Sequence, residues 1–304
     1  MATIDGRQCV FSLKSRYYIQ KFFLVGETEM SIKSILVHVD NSSRSRACLD
    51  ATLSLIDMSD AHVTGIANRM AAYIPAYAAA QIPPEAFTVF DQEQDRMLKV
   101  ARQEFEEALT TVAKLNRSSW EVGEGELATT ISSRARFHDL VILRQEIDDN
   151  DAGVYEGVPD EVILTAGRPV LVIPYIDYGD TLGKSILIGW SNTRESARAV
   201  KDAMPFLKRA DKVSIFSANP KEGEDVPGAE LARYLSEHGI KAEVSRTSSN
   251  DMDVGDLLLN DVADNGHDMI VMGGYGHRRI RQMILGGVTN HLLKHMTVPV
   301  LFSH

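Results

Sequence analysis

The chain has 304 residues, of which 44% are hydrophobic and 24% charged, about twice the length of a typical domain and the balance of a globular protein. Its 42 Asp and Glu outweigh 32 Lys and Arg, for a formal charge of -10. That sign excludes a general DNA or RNA binder, whose affinity comes from neutralising phosphates with cations. Cys9 and Cys48 have no CxxC spacing and no metal-ligand neighbours, so no disulfide framework is expected and a reducing, cytoplasmic setting is. The most apolar stretch, 71–83, is broken by Pro75 and Pro83 and falls short of the ~20 residues that a membrane span needs.

In chain order, residues 1–30 hold Arg7, Lys14, Arg16 and Lys21 among small apolar clusters, without a signal peptide's continuous apolar region. They are expected to be an extension outside the fold, either a mobile segment or the product of an upstream start site. Lys33-Ser-Ile-Leu-Val37 reads as a first buried strand, followed by the polar turn Asp40-Asn-Ser-Ser43. An Ala-, Tyr- and Pro-rich insert over 68–90 places Tyr73, Tyr77, Ile82 and Phe87 where they would cover a cleft or a partner surface. Asp139-Leu-Val-Ile-Leu143 and Arg168-Pro-Val-Leu-Val-Ile173 are further strands, separated by the acidic run Arg144–Asp151.

The pattern then repeats. Lys184-Ser-Ile-Leu-Ile188 restates the first strand, Ser191-Asn-Thr-Arg194 its turn, Asp268-Met-Ile-Val-Met272 the strand at Asp139, and Val298-Pro-Val-Leu-Phe302 the last one. Between them the spacing predicts a helix over 194–208 with Ala197, Val200, Ala203, Met204 and Leu207 on one face. It also predicts a strand over 213–217, a helix over 226–238 ended by Gly239, a strand over 242–246, and helices over 253–264 and 288–295. Strands alternating with helices imply right-handed crossovers and parallel sheets covered on both faces. The expected fold is α/β, with two tandem doubly wound domains, each a five-stranded parallel sheet flanked by helices. Their expected bounds are 31–176 and 184–304, joined by a linker over 177–183. Ligands of such sheets lie beyond the carboxyl ends of the strands.

After Met272 the chain reads Gly273-Gly-Tyr-Gly276, then nine residues, then Gly286-Gly-Val-Thr289 at a helix start. Glycines let main-chain amides approach a ligand, and a helix N-terminus favours an anion. His277, Arg278, Arg279 and Arg281 would add positive potential. On composition alone, a phosphate cradle and a glycine-rich strand-to-helix turn fit equally.

The spacing Gly273-x2-Gly276-x9-Gly286 after a buried strand resembles the nucleotide loop of the universal stress protein family, G-x2-G-x9-G-(S/T), and the repeat makes the chain similar to a tandem member. The resemblance implies a nucleotide-binding regulatory or stress-response protein. ATP, with or without Mg, would be held in the second domain by Met272, Gly273, Gly276, Gly286, Gly287, Val288, Ser191 and Ala218. Two positions depart from the pattern. Gly287 stands where the family has Ser or Thr, and Ser191 stands where a carboxylate commonly meets the base. The first domain keeps that carboxylate, Asp40, but replaces the loop with acidic residues that would repel a triphosphate, so it is expected to be degenerate. The resemblance also implies pairing of the two domains through the last strand, as an intrachain pseudo-dimer with homodimerisation open.

Rival readings are weaker. Gly179-Asp-Thr-Leu-Gly183-Lys-Ser185 has three residues where a P-loop needs four, and it precedes a strand. His291 and His295 lack the intervening Glu of a zinc motif, and no G-x-S-x-G elbow is present, so neither catalytic residues nor a metal site are assigned. A slow ATP hydrolase and a nucleotide-free scaffold remain the alternatives to a nucleotide-binding regulator.

Overall fold

The computed structural model describes residues 32–42, 44–70, 82–146, 155–218, 228–247, 252–276 and 287–304. The expected extension over 1–30, the middle of the 68–90 insert, most of the acidic run after Arg144 and the loop residues 277–286, Gly286 included, lie outside them. Ile32–His304 form one compact unit. Among the described residues no helix is long and apolar enough to cross a membrane.

The first half runs β1 (Ser34–His38), α1 (Ser45–Ser59), β2 (His62–Arg69), α2 (Pro84–Thr111), β3 (Ser118–Glu124), α3 (Leu127–Ala135), β4 (Leu140–Arg144), α4 (Val158–Thr165) and β5 (Val170–Ile173). The second runs β6 (Ser185–Gly189), α5 (Arg194–Asp202), α6 (Met204–Leu207), β7 (Lys212–Ala218), α7 (Ala229–Glu237), β8 (Glu243–Thr247), α8 (Val254–Asn265), β9 (Met269–Gly273), α9 (Gly287–His295) and β10 (Val300–Ser303). Among the described residues, the ten strands join one sheet in the order β3-β2-β1-β4-β5-β10-β9-β6-β7-β8. Every neighbouring pair is parallel except β5 with β10, which runs antiparallel with Leu171 opposite Leu301. The protein is therefore α/β, built on a large, mostly parallel sheet.

Central strands are apolar at successive positions because both faces are covered. Ile35, Val37, Ile186, Ile188, Met269 and Val271 pack with α1, α2, α5, α6 and α7 on one side. Leu36, Leu187, Ile270, Val300 and Phe302 pack with α3, α4, α8 and α9 on the other. The two-residue strand period makes this division. Full burial of each such side chain stabilises the fold by roughly 1.5–3 kcal/mol.

Three expectations need correction. The helix predicted over 194–208 is two helices meeting at Ala203, because Pro205 lacks the amide that would continue the ladder. Ala197 is exposed, while Glu195, Ser196, Ala199 and Val200 are buried, since α5 lies on β9 and β10 with a face turned from the predicted one. The helix predicted from 226 is described only from Ala229, after Gly228 at φ +89°.

The ends of the 68–90 insert are regular structure: Asn68 and Arg69 finish β2, and α2 begins at Pro84. At 28 residues, against nine for α7, α2 accounts for much of the extra first-half length. Exposed pairs one helical turn apart support it, Arg96 with Glu93 and Arg102 with Glu106.

Candidate functional site

The carboxyl ends of β6, β7 and β9 lie level, with Gly189 opposite both Phe216 and Met272. Met272 is buried at the end of β9. At Gly273 the N-terminus of α5 comes so close that a Cβ would lie 2.5 Å from the Ser196 amide nitrogen and 2.6 Å from the Glu195 carbonyl carbon. Glycine there is fixed by packing. The helix end itself is set by a reciprocal cap: Ser196 N donates to Thr193 Oγ1 at 3.3 Å, and Thr193 N to Ser196 Oγ at 3.0 Å.

Gly274 N continues the sheet, donating to Ser303 O at 2.9 Å, and the His304 ring accompanies it through Nδ1, 3.0 Å from Gly274 O. Tyr275 turns the chain at φ +53°, donates its amide to Thr289 Oγ1 at 3.3 Å, and gives its hydroxyl to Asp160 Oδ1 of α4. Burial, then the Asp160 bond, pushes the Tyr275 hydroxyl up. Burial also raises the Asp160 carboxyl, with the Tyr275 bond opposing. Gly276 faces Thr193 Oγ1 and Glu195 Oε2, which lie 3.0 and 3.3 Å from the place of a Cβ.

Gly287 opens α9, exposed, with no atom of another described residue beyond its own turn within 4 Å of the place of a Cβ; Val288 is half-buried and Thr289 buried. A helix start has amides without intrahelical partners and the positive end of the dipole. Ser191 is exposed, its Oγ 3.2 Å from Thr193 Oγ1, and Ala218 closes β7 opposite Thr247. The predicted residues Met272, Gly273, Gly276, Gly287, Val288, Ser191 and Ala218 thus follow or end strands β6, β7 and β9 or open α9, where the topology directs a ligand.

Sequence reasoning missed Glu195. Its side chain is 5% exposed and accepts from Arg194 Nε. Burial raises its carboxyl, but the Arg194 and backbone hydrogen bonds, with the charges of Arg194 and His304, bring it below the ordinary range. An ionised carboxylate therefore stands beside Gly276. Only its proximity to Gly273 and Gly276, both distant in sequence, reveals it.

The corresponding region of the first half is built differently. Arg144 ends β4 opposite Ile173, as Gly273 ends β9 opposite Ser303. Its guanidinium lies 3.0 Å from Asp40 Oδ2 and 3.6 Å from the centroid of the Tyr155 ring, on which His38 also stacks. Burial holds His38 down at about 4, so it is neutral. Burial raises the Asp40 carboxyl, yet His38, Arg144 and the Ser42 hydrogen bonds bring it below its ordinary range. At the start of α4, Gly157 N donates to Glu146 Oε2 at 2.8 Å. The chain's own carboxylate is the anion at that helix N-terminus.

At the opposite end of the sheet, Asp268 accepts from the Lys184 and Ser185 amides and Asp139 from those of Lys33 and Ser34. The repeat thus extends to its strand-start clamps. Ser185 Oγ, His267 Nδ1 and Asp261 form a chain there, with 2.9 Å between the first two and 3.5 Å from His267 Nε2 to Asp261 Oδ1. It opens a strand and has no strand-to-helix elbow. His291 lies 2.9 Å from Asp256, and its ring centroid lies 4.4 Å from that of His295 with the planes tilted by 31°. Among the described residues no group of three or more His, Cys, Asp or Glu is placed to hold a metal ion.

Residues 183–304 match the model of the universal stress protein family. Over 69 residues the chain is 30% identical to Universal stress protein Slr1230 of Synechocystis sp., a stretch that spans 23% of this chain and 23% of that relative. Among solved structures it is similar to a universal stress protein from Archaeoglobus fulgidus, with a TM-score of 0.67 and 15% identity over 89% of this chain and 97% of that one. A functionally unknown protein from Pseudomonas aeruginosa PAO1 gives a TM-score of 0.55 and 15% identity over 90% and 92%. At such identity the structural likeness speaks for the fold.

Proposed function

We propose that residues 183–304, the part that matches the model of the universal stress protein family, bind an adenine nucleotide, ATP, as a regulatory ligand. In this reading the phosphates lie on main-chain amides from Gly276 to the first turn of α9, with Gly286 between them, and the base lies toward Ser191 and Ala218. The observation that carries it is the contrast between halves. Where the first half has Arg144 and the carboxylate of Glu146 at its strand end and helix start, the second has Gly273, without a side chain, and Tyr275, whose side chain goes to Asp160. In this reading the start of α9 takes an external anion, because among the described residues no side chain fills the place that Glu146 fills at α4, and the first half is the degenerate one.

Two features temper the affinity. Gly287 offers no hydroxyl, which forgoes a hydrogen bond to a charged group, roughly 1.5–3 kcal/mol. The ionised Glu195 opposes a polyphosphate, so the nucleotide is taken with Mg, whose charge offsets the carboxylate. Within a single chain, the β5–β10 pairing supports reading the two halves as an intrachain pseudo-dimer. Denaturing extraction of the purified chain followed by chromatography should yield ATP, ADP or AMP. An extract free of adenine nucleotide, from protein that also fails to take up added Mg-ATP, would leave the scaffold alternative.

A further inference from the structure

The turn that closes β9 rests on the other half of the chain. Beside Gly274, a Cβ would lie 2.7 Å from Ile163 Cγ2 of α4. Tyr275 is 3% exposed and holds φ +53°. A tyrosine keeps that left-handed conformation only where its surroundings hold it. Its hydroxyl is held by Asp160, in the first turn of α4, and its amide by Thr289, in α9. A second contact crosses the junction to α9: Gln145, fully buried just after β4, donates through Nε2 to Leu293 O at 2.8 Å and accepts from Tyr175 N at 3.0 Å.

We propose that Asp160 is a positioning residue for the nucleotide site of the second half. By fixing the Tyr275 hydroxyl it sets the backbone of Gly274–Gly276 and, through Thr289, the first turn of α9. The site is then composite: the second half supplies the amides and the first half supplies the brace. The inference rests on the nucleotide reading given above. A bond that merely cemented the two halves together would, once removed, lower stability and leave affinity unchanged.

The test uses the full chain as wild type, Tyr275→Phe, Asp160→Ala, the double variant and Asp160→Asn. Mg-ATP affinity is measured by calorimetric titration, and amide hydrogen exchange at 273–276 and 287–290 is measured without nucleotide. Tyr275→Phe and Asp160→Ala should each weaken ATP about 5- to 10-fold, the range expected for coupling within one network. The double variant should be no weaker than either single one. Asp160→Asn, whose amide oxygen still accepts, should bind within about twofold of wild type. Exchange at Tyr275 and Gly276 should quicken in Asp160→Ala.

Wild-type affinity in both single variants, or losses that multiply in the double variant, would overturn the proposal. If the wild-type chain binds no ATP, the nucleotide reading fails on its own account. Exchange then decides the brace, and unchanged exchange in Asp160→Ala overturns it.

Discussion

Arg144 Nε lies 3.0 Å from Asp40 Oδ2, across the gap between the ends of β4 and β1. With its guanidinium 3.6 Å from the Tyr155 centroid and its side chain 7% exposed, this pair occupies the place that the second half gives to Gly273. The same strand ends are thus filled by an internal ion pair in one half and reached by a helix N-terminus in the other.

Replacing Arg144 by Ala leaves Asp40 with a partly buried, uncompensated charge. The expected loss is about 3 kcal/mol, the lower end for breaking a buried pair because Asp40 is partly exposed. Urea denaturation reads it directly, and ATP affinity should not move. A variant as stable as wild type would mean that the pair does not hold the first half closed.

Gly287→Ser restores the hydroxyl found at the family's loop position, where among the described residues no atom beyond its own turn lies within 4 Å of the place of a Cβ. ATP affinity should rise about tenfold, the lower end for a hydrogen bond to a charged group. Thermal stability should change little. Unchanged or weaker binding would remove the phosphates from the first turn of α9.

Gly273→Ala is predicted to act on the fold. Its methyl would lie 2.5 and 2.6 Å from two backbone atoms of α5, and such overpacking costs about 1–3 kcal/mol. Gly287→Ala, which meets no described atom beyond its own turn within 4 Å, is the matched control. Equal denaturation midpoints for the two variants would contradict the close approach.

His38 makes stability depend on pH. Its folded value of about 4 lies below the ordinary 6.5 because burial disfavours the charged form. The unfolded chain therefore binds the proton first as pH falls. The contribution is complete above pH 6.5 and is lost between 6.5 and about 4, on the order of 3 kcal/mol. His38→Gln should flatten the stability profile in that window. An unchanged slope would show that another group titrates there.

The strands were legible because a parallel sheet covered on both faces demands apolar residues at successive positions, as in Ile35-Leu36-Val37 and again in Ile186-Leu187-Ile188. The glycine turn was legible as well, although two of its residues serve packing: Gly273 against α5 and Gly274 against Ile163. What local pattern could not carry was tertiary. Glu195 reads as a solvated first-turn residue until α5 is laid on β9, and Ala197 reads as core until that same face is turned away. The Tyr275–Asp160 bond joins residues in different halves, and no periodicity records such a contact. Arg144 opens an acidic run, and nothing in that run records that the Asp40 carboxylate, 104 residues earlier, draws it inward.

Equilibrium dialysis of the full chain against labelled Mg-ATP tests the asymmetry between the halves most directly. One saturable site per chain, abolished by Gly276→Val and kept in Arg144→Ala, is the predicted result. Two equivalent sites, or no retention at millimolar ATP, would contradict it.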